Sequence, residues 1–508
     1  MTFPSHYDHL VISTTSGQIH GTIDPALPNV QQYLGIPYAL PPVGGLRWAP
    51  PQPLDQPNER VEATALPPSC MQYLTNTGSS LYVRDVFEFN LRGLNTTGAV
   101  SEDCLYLSVW APTATGRGDD GWSASSAHHW TSSSSNTGKG ALPVLIYIYG
   151  GGFSTGGMDV PYQIPAKWVN RSPDHIVVTF NYRLNIFGYP NAAGVSGSQN
   201  LGLLDQRAAI EWVQENIVLV VIQKAWSSGG LIMDSGTAYS PTSVKDLTRS
   251  NFTFVADHIG CSDLADHAPQ QLACMRGASA DTIEDFVAEY AENATLPGLS
   301  FIPVIDEDLV FSNYTERVLA GEQANIPAII GTNTQDGVPF VPYAPDGPAN
   351  QTMVLQALDT FFFCTSTESI SRRQETNRLT YRYLYAGNFS NIAPKPWMGA
   401  YHSAELPLIM GTHPNFRGNS TALEYETSSA MQDAYTAFAS DPAKGLQRLG
   451  WLPYTHLGAS QVREFGNDVA VQNVNIADYE ALCFGSRPVV PLPEVVGTCC
   501  DEPLLTAS

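Results

Sequence analysis

The stretch of this chain best suited to chemistry is Tyr149-Gly150-Gly151-Gly152-Phe153, three successive glycines placed directly after an apolar run. Without Cβ atoms, such a turn lets backbone N–H groups come close to a ligand. Two N–H groups aimed at one point hold the charge of a tetrahedral oxyanion. Taken alone, the triplet reads equally well as a Gly-rich turn. An oxyanion forms when an activated hydroxyl attacks a carbonyl. That step needs an imidazole to take the hydroxyl proton and a carboxylate to orient the imidazole. Composition does not select these partners, because the chain has 11 His and 48 acidic residues, and a given His is more often a surface or core residue. The pair His128-His129 has no ligand spacing around it, so no metal is expected, and no organic cofactor either.

The elements that must position such groups are legible around the triplet. Val144 to Ile148 and Ile176 to Phe180 are continuous apolar runs, the pattern of strands buried on both faces. Leu204, Ala208 and Trp212, with Ala209 and Val213 beside them, share one face of a helix over 203–216. Residues 9–24 alternate as a hairpin, and Ala328-Ile329-Ile330 reads as another buried strand. Residues 113–140 are rich in Ser, Gly, Thr and Asp without periodicity, which predicts a flexible surface insertion. Strands alternating with helices give an α/β class with a mostly parallel sheet, and no repeat or linker divides the 508 residues into separate domains.

A composition of 43% hydrophobic residues is that of a globular chain, and no run of 18 apolar residues predicts a membrane span. The net charge of -23 argues against nucleic acid or an anionic membrane surface as partner. Eight Asn-x-Ser/Thr acceptors and eight cysteines point to the secretory pathway and the extracellular space. The sequence Met1-Thr2-Phe3-Pro4-Ser5 has no basic segment or apolar core, so the expectation is that a signal peptide is absent, by loss of a first exon or because the chain is intracellular.

Several motifs occur in one order: Glu102-Asp103-Cys104-Leu105-Tyr106-Leu107, the Gly triplet, Asn181-Tyr182-Arg183-Leu184, Asn200-Leu201-Gly202-Leu203-Leu204-Asp205-Gln206 and Asp234-Ser235-Gly236. Together they resemble the type-B carboxylesterase and lipase family, which includes cholinesterases and fungal lipases. The resemblance runs from about residue 9 to about residue 485. It implies an α/β-hydrolase fold with a large, mostly parallel central sheet flanked by helices, as a single domain over 1–508. It also implies serine-type hydrolysis of carboxylic esters through an acyl-enzyme. The family's oxyanion glycines match Gly151 and Gly152, with Tyr149 where many members have His. Its acid turn matches Gly331-Thr332-Asn333-Thr334-Gln335-Asp336-Gly337, making Asp336 the catalytic acid. Its His-x-x-Glu-Leu-Pro motif matches His402-Ser403-Ala404-Glu405-Leu406-Pro407, making His402 the base. Disulfides are implied for Cys70 with Cys104 and for Cys261 with Cys274, while Cys364, Cys483, Cys499 and Cys500 are left unassigned.

The family's nucleophile sits in a Gly-x-Ser-x-Gly elbow between a strand and a helix. No such elbow is read anywhere in this chain. After Glu215-Asn216-Ile217 the family continues with a Phe-Gly-Gly-Asp-Pro turn, the central strand, the elbow and a long helix. Here Leu219 to Gly229 leads straight into the strand at Leu231, so about thirty residues and the nucleophile are expected to be missing. With one permitted choice of codons, the bases for Leu219 to Gly229 read in another frame give Gly-Gly-Asp-Pro-Glu-Ser-Met-Val-Ile-Trp. That is the family's turn and central strand, so the expectation is that this stretch is an out-of-frame translation, from a misplaced splice boundary or a frameshift. Two alternatives stand beside it. Ala225-Trp226-Ser227-Ser228-Gly229 could be a degenerate elbow, although no helix follows it. The chain could also be a non-catalytic binding or adhesion pseudoenzyme of the cholinesterase-like kind. The loop from Cys70 to Cys104 contains no Trp, which argues against a choline ester and leaves lipid and other small-molecule esters open. Its aromatics, Tyr73, Tyr82, Phe87 and Phe89, could form a lid or simply pack. Oligomeric state is not predicted.

Overall fold

The computed structural model describes residues 10–55, 57–73, 86, 100–113, 142–218, 229–241, 246–293, 298–345, 347–415, 417–455 and 461–484. The expected insertion from residue 114 onward, the loop aromatics Tyr82, Phe87 and Phe89, Ser227 and Cys499-Cys500 lie outside them. The chain divides into two compact units. One comprises Met1–Asn76, Leu91–Gln223 and Thr242–Phe311, and the other Thr77–Asn90, Lys224–Pro241 and Ser312–Ser508.

The first unit holds strands β1 (Val11–Thr14), β2 (Gly17–His20), β3 (Val30–Pro37), β4 (Asn58–Glu62), β5 (Ser69–Cys70), β6 (Val100–Ser101), β7 (Tyr106–Pro112), β8 (Val144–Tyr147) and β9 (Ile176–Phe180). β1 and β2 form the predicted hairpin, closing at Thr14 opposite Gly17. The main sheet of this unit has the order β3-β7-β9-β8, with β8 and β9 parallel and the other pairs antiparallel. β9 is buried along its whole length, as its sequence Ile-Val-Val-Thr-Phe predicts. β8 is not, and this corrects the expectation of a strand buried on both faces. All four of its residues are half-buried, and Ile148 just beyond is 39% exposed. The physical reason is position: among the described residues, β8 pairs with β9 and stands at the edge of its sheet.

The predicted helix appears as Leu201–Val213, continued by a π-turn over Gln214–Val218. Its buried face carries Leu201, Asp205, Ala209, Trp212 and Val213. Asp205 can be buried there because Arg183 forks onto both its oxygens, at 2.7 and 2.8 Å. Two disulfides, Cys70–Cys104 and Cys261–Cys274, close loops in this unit.

The second unit holds β10 (Leu231–Asp234), β11 (Ala328–Asn333), β12 (Thr380–Tyr385), β13 (Gln461–Asn467) and β14 (Val469–Asn475) in that spatial order. The first three pairings are parallel and β13–β14 is antiparallel. β11 and β12 are buried throughout, whereas β10, at the edge, has its first residue Leu231 42% exposed. Among the described residues, the expected single, mostly parallel sheet is thus found as two mixed sheets, beside the smaller sheets β1-β2-β4 and β5-β6. Cys364 and Cys483, unassigned from sequence, form a third disulfide. Among the described residues, no helix is long and apolar enough to cross a membrane.

Candidate active site

The chemistry-bearing groups of the second unit gather at the C-terminal ends of its parallel strands, the usual place for a site on an open α/β sheet. All six residues of β11 are buried. Gly331 must be glycine because of close approach: a Cβ there would lie 1.9 Å from the Tyr383 ring on β12. The strand ends at Asn333, and the turn that follows returns Asp336 beneath it, so that the Asn333 N–H donates to Asp336 Oδ2 at 2.7 Å. The Asp336 side chain is completely buried.

The loop carrying His402 is attached to that same turn. Gln335 forms a parallel bridge with Tyr401, and the Gln335 N–H donates to the Ala400 carbonyl at 3.0 Å. The Asn333 side-chain amide donates to the Tyr401 carbonyl at 2.8 Å and to Glu405 Oε2. Held from both sides, His402 places Nδ1 3.0 Å from Asp336 Oδ1. A carboxylate only accepts, so this contact calls for an Nδ1–H on the ring and leaves Nε2 as the acceptor. The imidazole is 27% exposed while its partner is fully buried, the arrangement of a group that exchanges protons on one side and is oriented on the other.

The structure adds Ser235 to this pair. Its hydroxyl donates to Asp336 Oδ2 at 2.8 Å, from a residue that is itself buried and held at φ +52°. Sequence reading singled out Asp234-Ser235-Gly236 without giving it a task. The signal was a Ser between two turn-forming neighbours at the end of a strand. Asp336 therefore receives three hydrogen bonds, from the Ser235 hydroxyl, the Asn333 N–H and the His402 ring.

Two further carboxyls lie in the same buried neighbourhood. Asp234 Oδ1 accepts from the Tyr383 and Tyr435 hydroxyls, each at 2.7 Å. Burial raises its pKa against the lowering effect of those two bonds, and Asp336 adds to the rise. Glu405 is pushed well above the usual carboxylate range, first by burial and then by the charges of Asp336 and Asp234. Burial and neighbouring negative charge both disfavour the ionised form of a carboxyl. Among the described residues, no group of three or more His, Cys, Asp or Glu side chains is arranged to hold a metal ion.

The Gly triplet belongs to the first unit. Gly151 and Gly152 have φ of +120° and +61°, values that glycine reaches without strain. A Cβ on Gly151 would meet the Thr155 carbonyl at 2.0 Å. Tyr149 is fixed to the strand-end residue Tyr182: the rings stack at 4.6 Å, and the Tyr182 hydroxyl donates to the Tyr149 carbonyl at 2.9 Å. The five-residue pattern Gly-x-Ser-x-Gly does occur, as Gly152-Phe153-Ser154-Thr155-Gly156. It is a turn and not an elbow, because no helix follows Ser154, whose hydroxyl turns back toward the Gly152 carbonyl at 3.3 Å.

The sequence profile of the Carboxylesterase family matches residues 8–219 and 227–358. This chain belongs to the carboxylesterase family. It is 41% identical over 464 residues to the Chlorogenic acid esterase of Aspergillus niger, a match covering 87% of this chain and 84% of that protein. To Secreted lipase 5 of Gibberella zeae it is 38% identical over 491 residues, covering 87% of each. The Acetylcholinesterase of Bungarus fasciatus is more distant, at 26% identity over 535 residues, 89% of this chain and 82% of that one. The carboxylesterase-family match identifies the fold as that of an α/β hydrolase and the chain as a hydrolase by family. Within this carboxylesterase, the profile match is interrupted between residues 219 and 227, at the stretch that sequence reading singled out.

Proposed function

We propose that the gene encoding this chain specifies a serine esterase acting on carboxylic esters, and that the chain as written lacks the nucleophile. The observation that carries the reading is the hydrogen bond between His402 Nδ1 and the buried Asp336 carboxylate, 3.0 Å long. In the intact enzyme, Nε2 of His402 removes the proton from the attacking Ser hydroxyl. Asp336 holds the tautomer and stabilises the imidazolium. The N–H groups of Gly151 and Gly152 receive the charge of the tetrahedral intermediate. Collapse expels the alcohol, protonated by His402, and leaves an acyl-enzyme. Water activated by the same imidazole then releases the acid.

Three observations support a missing elbow. The family match breaks where the elbow belongs, between 219 and 227. Among the described residues, β8 and β10 each stand at the end of a sheet and are less buried than the inner strand they pair with. With one permitted choice of codons, the bases for Leu219 to Gly229 read in another frame also spell the family's turn and strand. We read the whole of 1–508 as one α/β-hydrolase domain from which this middle piece is lost. The relative named a chlorogenic acid esterase makes chlorogenic acid the first substrate to assay, and the secreted relative, the eight acceptors and the three disulfides favour an extracellular product.

A second reading, a non-catalytic binding or adhesion module, draws on the absent nucleophile and on similarity to mouse Neuroligin-3, 30% identical over 65% of this chain and 42% of that one. Hydrolysis of a short p-nitrophenyl ester and of chlorogenic acid by the natural gene product, abolished by a serine-directed organophosphate, separates the two. A folded product inert to both esters would overturn the esterase reading.

A further inference from the structure

Between the helices Gln351–Leu358 and Cys364–Glu375 the chain widens into a single π-turn, Asp359-Thr360-Phe361-Phe362-Phe363. A π-turn admits an extra residue at the expense of regular ladder bonds and is commonest at functional sites. Here hydroxyls take up the loosened carbonyls. Thr365 Oγ1 donates to the Phe361 and Phe362 carbonyls, both at 3.0 Å, Thr367 Oγ1 to that of Phe363 at 2.8 Å, and Ser240 Oγ to that of Phe361 at 3.0 Å. The turn is therefore built into the helix pair and satisfied locally.

Its effect is to turn Phe361 and Phe362 toward Phe340, at 5.8 and 5.2 Å, and Phe363 away from it. Phe363 lies under the Arg382 guanidinium, 4.6 Å away. Phe361 meets Phe340 at 5.8 Å. Phe362, 7% exposed, lies against the His402 imidazole with ring centres 4.6 Å apart and planes inclined by 29°. Phe340 approaches the same imidazole edge-on at 5.6 Å and 71°. A hydrogen bond at Nδ1 fixes one point of the ring and leaves its plane free to swing. A stacked phenyl on one face removes that freedom, and its π-face favours the imidazolium formed on proton transfer.

We propose that Phe362 is a positioning residue for His402, presented by the π-turn to hold the imidazole plane in line with Asp336. The role rests on the reading of His402 as the base, but its test does not need turnover. The probes are the downfield proton resonance of the Asp336–His402 hydrogen bond and the rate of His402 carbethoxylation by diethylpyrocarbonate, read by mass spectrometry on the full chain. Phe362→Leu keeps the site apolar and is expected to broaden the resonance and speed carbethoxylation about three- to tenfold, the factor an aromatic pair of this kind is worth. Phe362→Tyr restores both. Phe363→Leu, an equally buried change on the other side of the turn, alters neither, which separates positioning from general loss of stability. Unchanged resonance and rate in a folded Phe362→Leu chain would overturn the proposal. Absence of the resonance in the unsubstituted chain would instead overturn the Asp336–His402 pairing and the function built on it.

Discussion

Asp336 and His402 lie 66 residues apart in sequence, and their meeting depends on a few short-range bonds from Asn333 and Gln335. Asn333 braces both sides at once, through its N–H to Asp336 and its amide to Tyr401 and Glu405. In an enzyme with its elbow restored, Asp336→Asn is expected to keep the fold and lower kcat by about 10³- to 10⁴-fold, because an amide no longer fixes the tautomer. Steady-state kinetics with a p-nitrophenyl ester check this. Ser235→Ala removes a hydrogen bond to a buried carboxylate and is expected to cost about 1–3 kcal/mol of stability, measured by urea unfolding.

The acid–base groups around the pair also set a pH dependence. Glu405 and Asp234 have raised native pKa values, chiefly from burial. Glu284 in the first unit, buried and hydrogen-bonded only weakly to Asn185 at 3.4 Å, is pushed up to about 8. Unfolded, a Glu carboxyl ionises near pH ~4.3, so above that the native state binds more protons than the unfolded one. Stability from these groups is therefore fully present below about pH 4 and lost as pH rises through their native values. The thermal midpoint is expected to fall between about pH 5 and 8, and Glu405→Gln or Glu284→Gln to flatten that fall. A midpoint rising across the same interval in the parent chain would contradict the assignment.

At the scale of elements, the sequence was most legible where periodicity and burial agree. β9 and β11 read as continuous apolar runs and are buried throughout, and the Leu201–Val213 helix carries its predicted Ala209, Trp212 and Val213 inside, while Leu204 and Ala208, read onto the same face, are half-buried. The reading failed at β8, whose equally apolar sequence cannot tell an edge from a centre, because pairing partners are not written in a strand's own residues. β12, Thr-Tyr-Arg-Tyr-Leu-Tyr, alternates like a half-exposed strand yet is wholly buried. Arg382 is accommodated there by Glu480 and the Thr367 hydroxyl. The partner of Glu480 in turn brings the helix Ala477–Phe484 into place, and with it Cys483 onto Cys364, a pairing 119 residues apart that no spacing rule reveals. Cys483→Ser is expected to lower stability by about 2–4 kcal/mol, seen as a lower urea midpoint. Of the proposed site, Asp336, His402, Gly151 and Gly152 were named from family resemblance, and the structure brings Asp336 and His402 into hydrogen-bond contact. Ser235 and Phe362 were not, since a hydroxyl aimed at a buried acid and a ring turned by a π-bulge are products of tertiary geometry.

For the whole molecule, the decisive features among the described residues are the sheet edges at β8 and β10. Sheet β3-β7-β9-β8 ends at β8, and sheet β10-β11-β12-β13-β14 begins at β10, with Ile148 and Leu231 exposed beside them. Unpaired apolar edges template pairing with other chains. Despite a net charge of -23, the chain as written is expected to bind a hydrophobic dye and to self-associate with rising concentration in light scattering, and a chain with the central strand restored is expected to do neither. The most direct test of the central claim is the sequence of the transcript across the codons for Ala209 to Ser240. About thirty additional codons are expected, with the bases of Leu219 to Gly229 in the other frame and a Gly-x-Ser-x-Gly elbow after them. A transcript that encodes Leu219 to Gly236 as it stands here would contradict it, leaving Asp336 and His402 paired with no nucleophile to serve.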